Sequence, residues 1–398
     1  GLAELPPRLV LAVVDGVASA TESGHDHPFI DGGGGGQVTI EAASDIWSAL
    51  LAAVPPAQCN DLASARHRGL KIRGDQEAYA QHYGAISRAI DLLRQSRHGR
   101  PVSAGPYVSR HLGPVDAPIG RYYHVELGVG ADRVDHRLYV ETAGQGVPLL
   151  LQHTAGAHGA QWRHLFEDPW ITDHFQLVAY DLPFHGKSLP PTGRAWWSEP
   201  YRLTTESLMS IPLAVADALA LDRPVFMGCS IGGLLALDLA RYHPDRFRAV
   251  IGVEPALKAE GNYEALTHLW HPRIDSAYKA ALMEGLTAPQ SPEALRKETA
   301  FVYSQGWPAA FLGDLYFYIV DHDLRTEAAA IDTSKVAVHL LSGEYDWSAT
   351  PEAGRSAHEA IPGSTWTLME GVGHFPMSEN PEVFLEYLKP VLEDVLVG

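Results

Sequence analysis

Four short apolar runs constrain this chain more than any other feature. They are VPLLLQH (147–153), FQLVAYD (175–181), PVFMGC (224–229) and RAVIGVE (248–254), with helix-length segments between them. A strand with one wet face alternates polar and apolar residues, whereas a run without alternation is buried on both faces. Burying both faces requires helices above and below a parallel sheet, and repeated strand–helix units build that arrangement. The fold class is therefore α/β, a mostly parallel sheet flanked by helices. Segments near 160–172, 204–220 and 231–243 are the expected helices, with Pro212 kinking the second or marking its true start. RYYHVELG (121–128) and HRLYVETAG (136–144) read as an earlier hairpin. KVAVHLLSG (335–343) and STWTLMEG (364–371) bring the strand pattern back later. A helix near 351–360 lies between them, and a last helix covers about 381–395.

Two regions break the rhythm. Residues 256–334 hold no clear strand and carry helical runs dense in aromatics, among them Tyr303, Trp307, Phe311 and Tyr318. They read as a helical cap inserted between the sixth and seventh strands of a core formed by 117–255 and 335–398. Residues 1–116 read as a mainly helical extension. Within it, Ile46, Leu50, Leu51 and Val54 share one helical face, with Ser44 or Asp45 as the expected cap and Pro55 as the stop. Tyr79, Tyr83, Ile86, Ile90 and Leu93 recur at helical spacing over 76–98, and Gly99 follows as a stop. The stretch DGGGGGQ (31–37) is a flexible linker by composition, and 96–120 is a Gly- and Pro-rich connection. These apolar stripes need burial, and a homodimer is one expectation that satisfies them.

The chemistry concentrates at one turn. Ser230 stands between PVFMGC and the apolar run GGLLALDLARYH, so it lies where a strand turns into a helix. Gly228 and Gly232 flank it as G-x-S-x-G, the pattern of a nucleophile elbow: glycines keep Cβ atoms out of the tight crossing, and the turn presents the serine Oγ. A serine hydroxyl needs a base, and the base needs an orienting acid. Asp346 follows the strand at 336–342, and His374 follows the last strand. The order Ser, Asp, His is the one expected on such a sheet, and each stands at the carboxyl end of a strand, where open α/β sheets form their sites. Glu344 and Glu254 are rivals for the acid role. The oxyanion hole is expected from the backbone N–H of Ile231 and, in the loop 153–162, that of Ala155. Thr154, His158, Trp197, Tyr303 and Trp307 are candidate substrate contacts; His153 and His164 either contact substrate or pack.

Taken together, LLLQHTAGAHG, VAYDLPFHGKS, MGCSIGG, LSGEYDWSATP and GVGHFPMSENP occur in the order found in α/β-hydrolases, and residues 120–398 resemble such an enzyme with a cap domain. The resemblance implies serine attack on a carbonyl followed by release to water. Two positions depart from the pattern: Thr154 follows His153 where the family has His-Gly, and Phe184 stands where it usually has glycine. The serine separates this chain from family members that use aspartate as nucleophile. The leading expectation is hydrolysis of a carboxylic ester or lactone of a modest-sized apolar or aromatic molecule. Cleavage of a carbon–carbon bond in a diketone, a cofactor-free perhydrolase or oxygenase reaction, and a non-catalytic ligand receptor are the alternatives.

The bulk numbers narrow the partners. With 48 acidic against 30 basic side chains the formal charge is −18, a surface that repels nucleic-acid phosphates and anionic membranes. Without an apolar run of about 18 residues no membrane span is expected. The first twenty residues lack the basic region of a secretory leader, and the two cysteines, Cys59 and Cys229, offer no disulfide framework, so a reducing, cytoplasmic setting is expected. No cofactor is called for. GHDHP (24–28) and DHD (321–323) lack metal-ligand spacing and read as solvated polar turns.

Overall fold

The computed structural model describes residues 38–99, 115–128 and 133–397, together with the backbone of two strands, β1 (Leu9–Val14) and β2 (Val17–Glu22), which pair antiparallel. The glycine run at 31–37, the GHDHP stretch and residues 100–114 lie outside the described residues.

Residues 38–99 form a small unit with its own apolar cluster of Ile46, Leu50, Leu62, Tyr79, Tyr83 and Ile90. Strand β3 (Val38–Glu41) leads into α1 (Ser44–Leu50) and α2 (Leu62–Ala65). Strand β4 (Lys71–Gly74) then pairs antiparallel with β3, and α3 (Gln76–His98) follows. The long helix keeps the bounds that its apolar spacing predicts. The side chain of Asp75 accepts the Glu77 and Ala78 N–H groups at its start, and Gly99 leaves it at φ 78°. Two expectations fail here, and one pairing lies outside them. The N-cap of α1 is Ala43, with no side-chain bond, rather than Ser44 or Asp45. Val54 lies beyond that helix and is 50% exposed, because the chain leaves the helix at Leu51. The β3–β4 ladder went unpredicted, since four-residue strands far apart in the chain carry little periodic signal.

The core is an eight-stranded sheet. Strands β5 (Ile119–Leu127), β6 (Val134–Gly144), β7 (Val147–Gln152), β8 (Phe175–Tyr180), β9 (Val225–Cys229), β10 (Ala249–Val253), β11 (Ala337–Gly343) and β12 (Thr365–Met369) lie in the order β12-β11-β10-β9-β7-β8-β6-β5. The pairs β5–β6 and β6–β8 are antiparallel; the rest of the sheet is parallel. Every residue of β9 and β10 is buried, as their unbroken apolar runs require. The first expected crossover helix is split by Pro169 into α4 (Arg163–Phe166) and α5 (Pro169–His174). Helix α6 (Thr205–Ala218) runs through Pro212, which is buried and only breaks one backbone bond. Helix α7 (Ile231–Tyr242) packs behind the elbow, almost wholly buried.

Between β10 and β11 the chain adds α8 (Ala277–Glu284), α9 (Glu293–Ser304) and α10 (Pro308–Tyr316), and α10 widens into a π-turn at Phe317–Asp321. This insertion lies over the carboxyl ends of the strands: Asp314 accepts the Gly156 N–H at 2.8 Å, and the Leu286 carbonyl accepts the His374 N–H at 3.1 Å. The DHD segment within it is not a solvated turn throughout. His322 is fully buried, bonded to Asp238 at 2.9 Å and to the Ala256 carbonyl at 3.3 Å. Helices α11 (Pro351–Ala360), α12 (Pro376–Glu379) and α13 (Pro381–Val397) complete the core. Among the described residues no helix is long and apolar enough to cross a membrane.

Candidate active site

The elbow is built by close backbone approach. Ser230 leaves β9 at φ 59°, ψ −113°, a conformation rarely adopted by a residue with a side chain, and its N–H is held by the Val253 carbonyl at 2.9 Å. A Cβ on Gly228 would stand 2.6 Å from the Gly232 backbone, and one on Gly233 would stand 2.3 Å from the Val253 carbonyl. Glycine is required at both positions by contact. The result is a serine 5% exposed at the rim of the sheet.

Asp346 and His374 come together. Asp346 Oδ2 lies 2.6 Å from His374 Nδ1, and both side chains are buried. The other carboxylate oxygen, Oδ1, accepts the Ser348 and Ala349 N–H groups at 2.7 and 3.2 Å, which fixes its rotamer. The Cys229 thiol donates to the His374 carbonyl at 3.2 Å, so the histidine loop is anchored to the residue preceding the serine. Both cysteines are free and buried, and burial pushes the Cys229 thiol well above its ordinary value.

Neither rival acid contacts the imidazole. Glu344 accepts the Gly371 N–H at 2.9 Å. Glu254, at φ 54° and fully buried, accepts the Gly343 N–H at 2.9 Å and sits against Asp346. Burial, and then the Asp346 carboxylate, drive its carboxyl well above the usual range. A third buried carboxyl, Glu379, accepts the Gly373 and Ala288 N–H groups, and burial raises it to about 8. No sequence signal marked Glu379; it is visible only once α12 folds back beside the histidine loop.

In the loop after β7, the stretch Thr154–Ala157 offers one open donor. The Thr154 N–H goes to Gln161 Oε1 at 3.0 Å, that of Gly156 to Asp314, and that of Ala157 to the Thr154 carbonyl at 3.3 Å. Only the Ala155 N–H in this stretch meets no acceptor among the described residues, and Ile231, first in α7, is likewise open at its N–H. Because β7 pairs with β9 in register Gln152 to Gly228, these two turns are neighbours. The Thr154 hydroxyl is spent on Gln161 and on Tyr303, which reaches down from α9 and is buried. His153 uses both ring nitrogens within the fold, on the Thr154 carbonyl and the Leu182 N–H. His164 is held between Glu167 and Glu298, and His158 bonds to Gln305 at 2.9 Å. Phe184 adopts φ 69°, the backbone that favours glycine, and is held there by ring contacts to Tyr201, Trp196 and Trp307. Trp307 thus belongs to that cluster. Trp197 is 72% exposed and touches only the edge of it at Trp196, so it is not brought to the serine. No group of three or more metal-ligating side chains occurs among the described residues.

Residues 147–298 match the family model described as alpha/beta hydrolase fold. The chain is an enzyme of the α/β-hydrolase fold. A pimeloyl-[acyl-carrier protein] methyl ester esterase of Vibrio vulnificus is 26% identical to this hydrolase over 268 residues, covering 63% of this chain and 96% of that protein. Among solved structures, a thermophilic esterase from Thermogutta terrifontis superposes with a TM-score of 0.59 at 19% identity, covering 69% of this chain and 99% of its own. The enol-lactonase from Burkholderia xenovorans does so with a TM-score of 0.56 at 22% identity, covering 66% and 97%.

Proposed function

We propose that this α/β-hydrolase cleaves a carboxylic ester or lactone of a modest-sized, apolar or aromatic molecule through Ser230, His374 and Asp346. One observation carries the reading: a strained, glycine-packed serine beside two open backbone N–H groups, with a buried Asp346–His374 pair anchored through Cys229. His374 Nε2 takes the proton of Ser230 Oγ as that oxygen attacks the ester carbonyl. The N–H groups of Ile231 and Ala155 stabilise the oxyanion. Collapse expels the alcohol and leaves an acyl-enzyme, which water then hydrolyses by the same steps. The helical insertion acts as the cap, with Tyr303 and its aromatic neighbours closing the acyl side. Ester- and lactone-cleaving relatives agree with this choice over carbon–carbon cleavage.

The test is a panel of p-nitrophenyl esters and lactones run beside a ring-fission diketone, with a fluorophosphonate label located by mass spectrometry. Turnover of esters, labelling at Ser230, and loss of both in Ser230→Ala are expected, the loss being about 10⁴-fold or more in kcat. Cleavage of the diketone alone would transfer the site to carbon–carbon chemistry. Labelling without turnover of any compound would point to a receptor.

A further inference from the structure

The insertion meets the nucleophile from two directions, and the two contacts differ in kind. On one side Tyr303 bonds to Thr154, whose partners are all within the fold. On the other side stands Tyr318, in the π-turn that follows α10. A π-turn inside a helix shifts the side chains after it and recurs at functional sites. Here the turn holds Tyr318, only 4% exposed, with its hydroxyl 3.2 Å from Ser348 Oγ and beside the Ser230 side chain. Ser348 is the residue whose N–H holds Asp346. Strand order separates the two sides. The acid loop follows β11 and the oxyanion loop follows β7, and they flank β9, whose end carries Ser230. With the oxyanion on the β7 side, the group expelled from the carbonyl carbon faces the acid and histidine loops.

Building on the ester reading, we propose that Tyr318 is a catalytic residue whose phenolic O–H donates a hydrogen bond to the leaving-group oxygen. When the tetrahedral intermediate collapses, the bond between the former carbonyl carbon and that oxygen breaks, and its electron pair goes to the oxygen. The imidazolium of His374 delivers the Nε2 proton to it; Tyr318 keeps its own proton and stabilises the charge in transit. Burial pushes the Tyr318 phenol well above its ordinary value, so it serves as a donor and not as a base. A poorly stabilised alkoxide gains far more from such a donor than a delocalised phenolate. The substrate class that follows is an ester of an aliphatic alcohol, or a lactone that opens to an aliphatic hydroxyl.

Leaving-group dependence tests this. Two esters with one acyl group, a methyl ester and a p-nitrophenyl ester, are compared by kcat/KM in the full chain and in Tyr318→Phe, with thermal melting as the check on folding. The expected loss is about tenfold to a hundredfold for the methyl ester and about threefold or less for the p-nitrophenyl ester. Ser348→Ala, which frees the phenol from its second partner, should show the same skew in smaller measure and serves if Tyr318→Phe melts early. Equal losses on both esters, or none on either, with wild-type turnover intact, overturn the role of Tyr318 alone. A wild-type enzyme that hydrolyses neither ester overturns the ester reading and this assignment with it.

Discussion

The elbow at Ser230 and the seam between residues 38–99 and the insertion are both interior, yet they are closed in opposite ways. At the elbow, glycines let backbone meet backbone, and Ser230 N–H, the His374 ring and both Asp346 oxygens have partners. At the seam, α3 packs on α8 through Tyr83 and Tyr278, edge to face, and polar groups lie beside that contact. Asn60 Nδ2 donates across it to the Gly285 and Thr287 carbonyls at 2.8 and 3.3 Å, and on its 38–99 side Tyr83 donates to Asp61 at 2.6 Å. Beside them runs a cavity of about 190 Å³. Into it face Asn60, Ser87 and Arg296, whose Oδ1, Oγ and Nε have no protein partner among the described residues. A polar cavity of that size is a natural place for water. The lesson is that chemistry demands positions held to a fraction of an ångström, whereas adhesion between two units tolerates wet gaps.

Substitutions can break this contrast at either end. After Ser230→Ala, the largest effect on activity is expected for Asp346→Asn, about 10³- to 10⁴-fold in kcat with the melting temperature little changed. A nearly silent Asp346→Asn would hand the acid role to Glu254. Gly228→Ala strikes the elbow through packing: its Cβ would meet the Gly232 backbone, and a stability loss of about 3 kcal/mol in urea unfolding is expected. Tyr83→Phe strikes the seam and removes the bond to Asp61, with a loss of about 1–2 kcal/mol and unchanged kcat. A fall in kcat as large as the fall in stability would show that the seam supports the chemistry after all.

The mildest probe is pH. In the unfolded chain Glu379 ionises near 4.5, and in the fold it holds its proton to about 8. Across that window the folded state binds more protons, so raising the pH from 5 to 8 weakens the fold. Melting temperatures measured over this range should fall with pH, and the slope should flatten in Glu379→Gln. An unchanged slope in the variant would place the effect on another group.

The parts of the fold legible in the sequence are those whose signal is local. The strands of the parallel sheet announce themselves as apolar runs, and α3 by its regular spacing. Ser230, Asp346 and His374 stand out as candidates because each occupies a strand-end loop in a fixed order. Local signal fails where a contact joins distant segments. Trp197 is an expected substrate contact, yet it faces solvent. His322 looked solvated, yet Asp238 draws it into the interior. The buried pairing of Glu254 with Asp346, and the approach of Tyr318, follow from how the insertion and the strand ends cross.

By itself, then, the sequence determined the layered architecture and the edge of the sheet at which chemistry can gather. Parallel strand–helix units carry successive carboxyl ends to one side, whatever the surrounding detail. Only the tertiary structure decided which acid faces His374, which N–H of the loop after β7 stays open, and which tyrosine of the insertion reaches the serine. Those choices turn on helix crossings and rotamers set by packing among residues far apart in the chain, and no short window of sequence contains them.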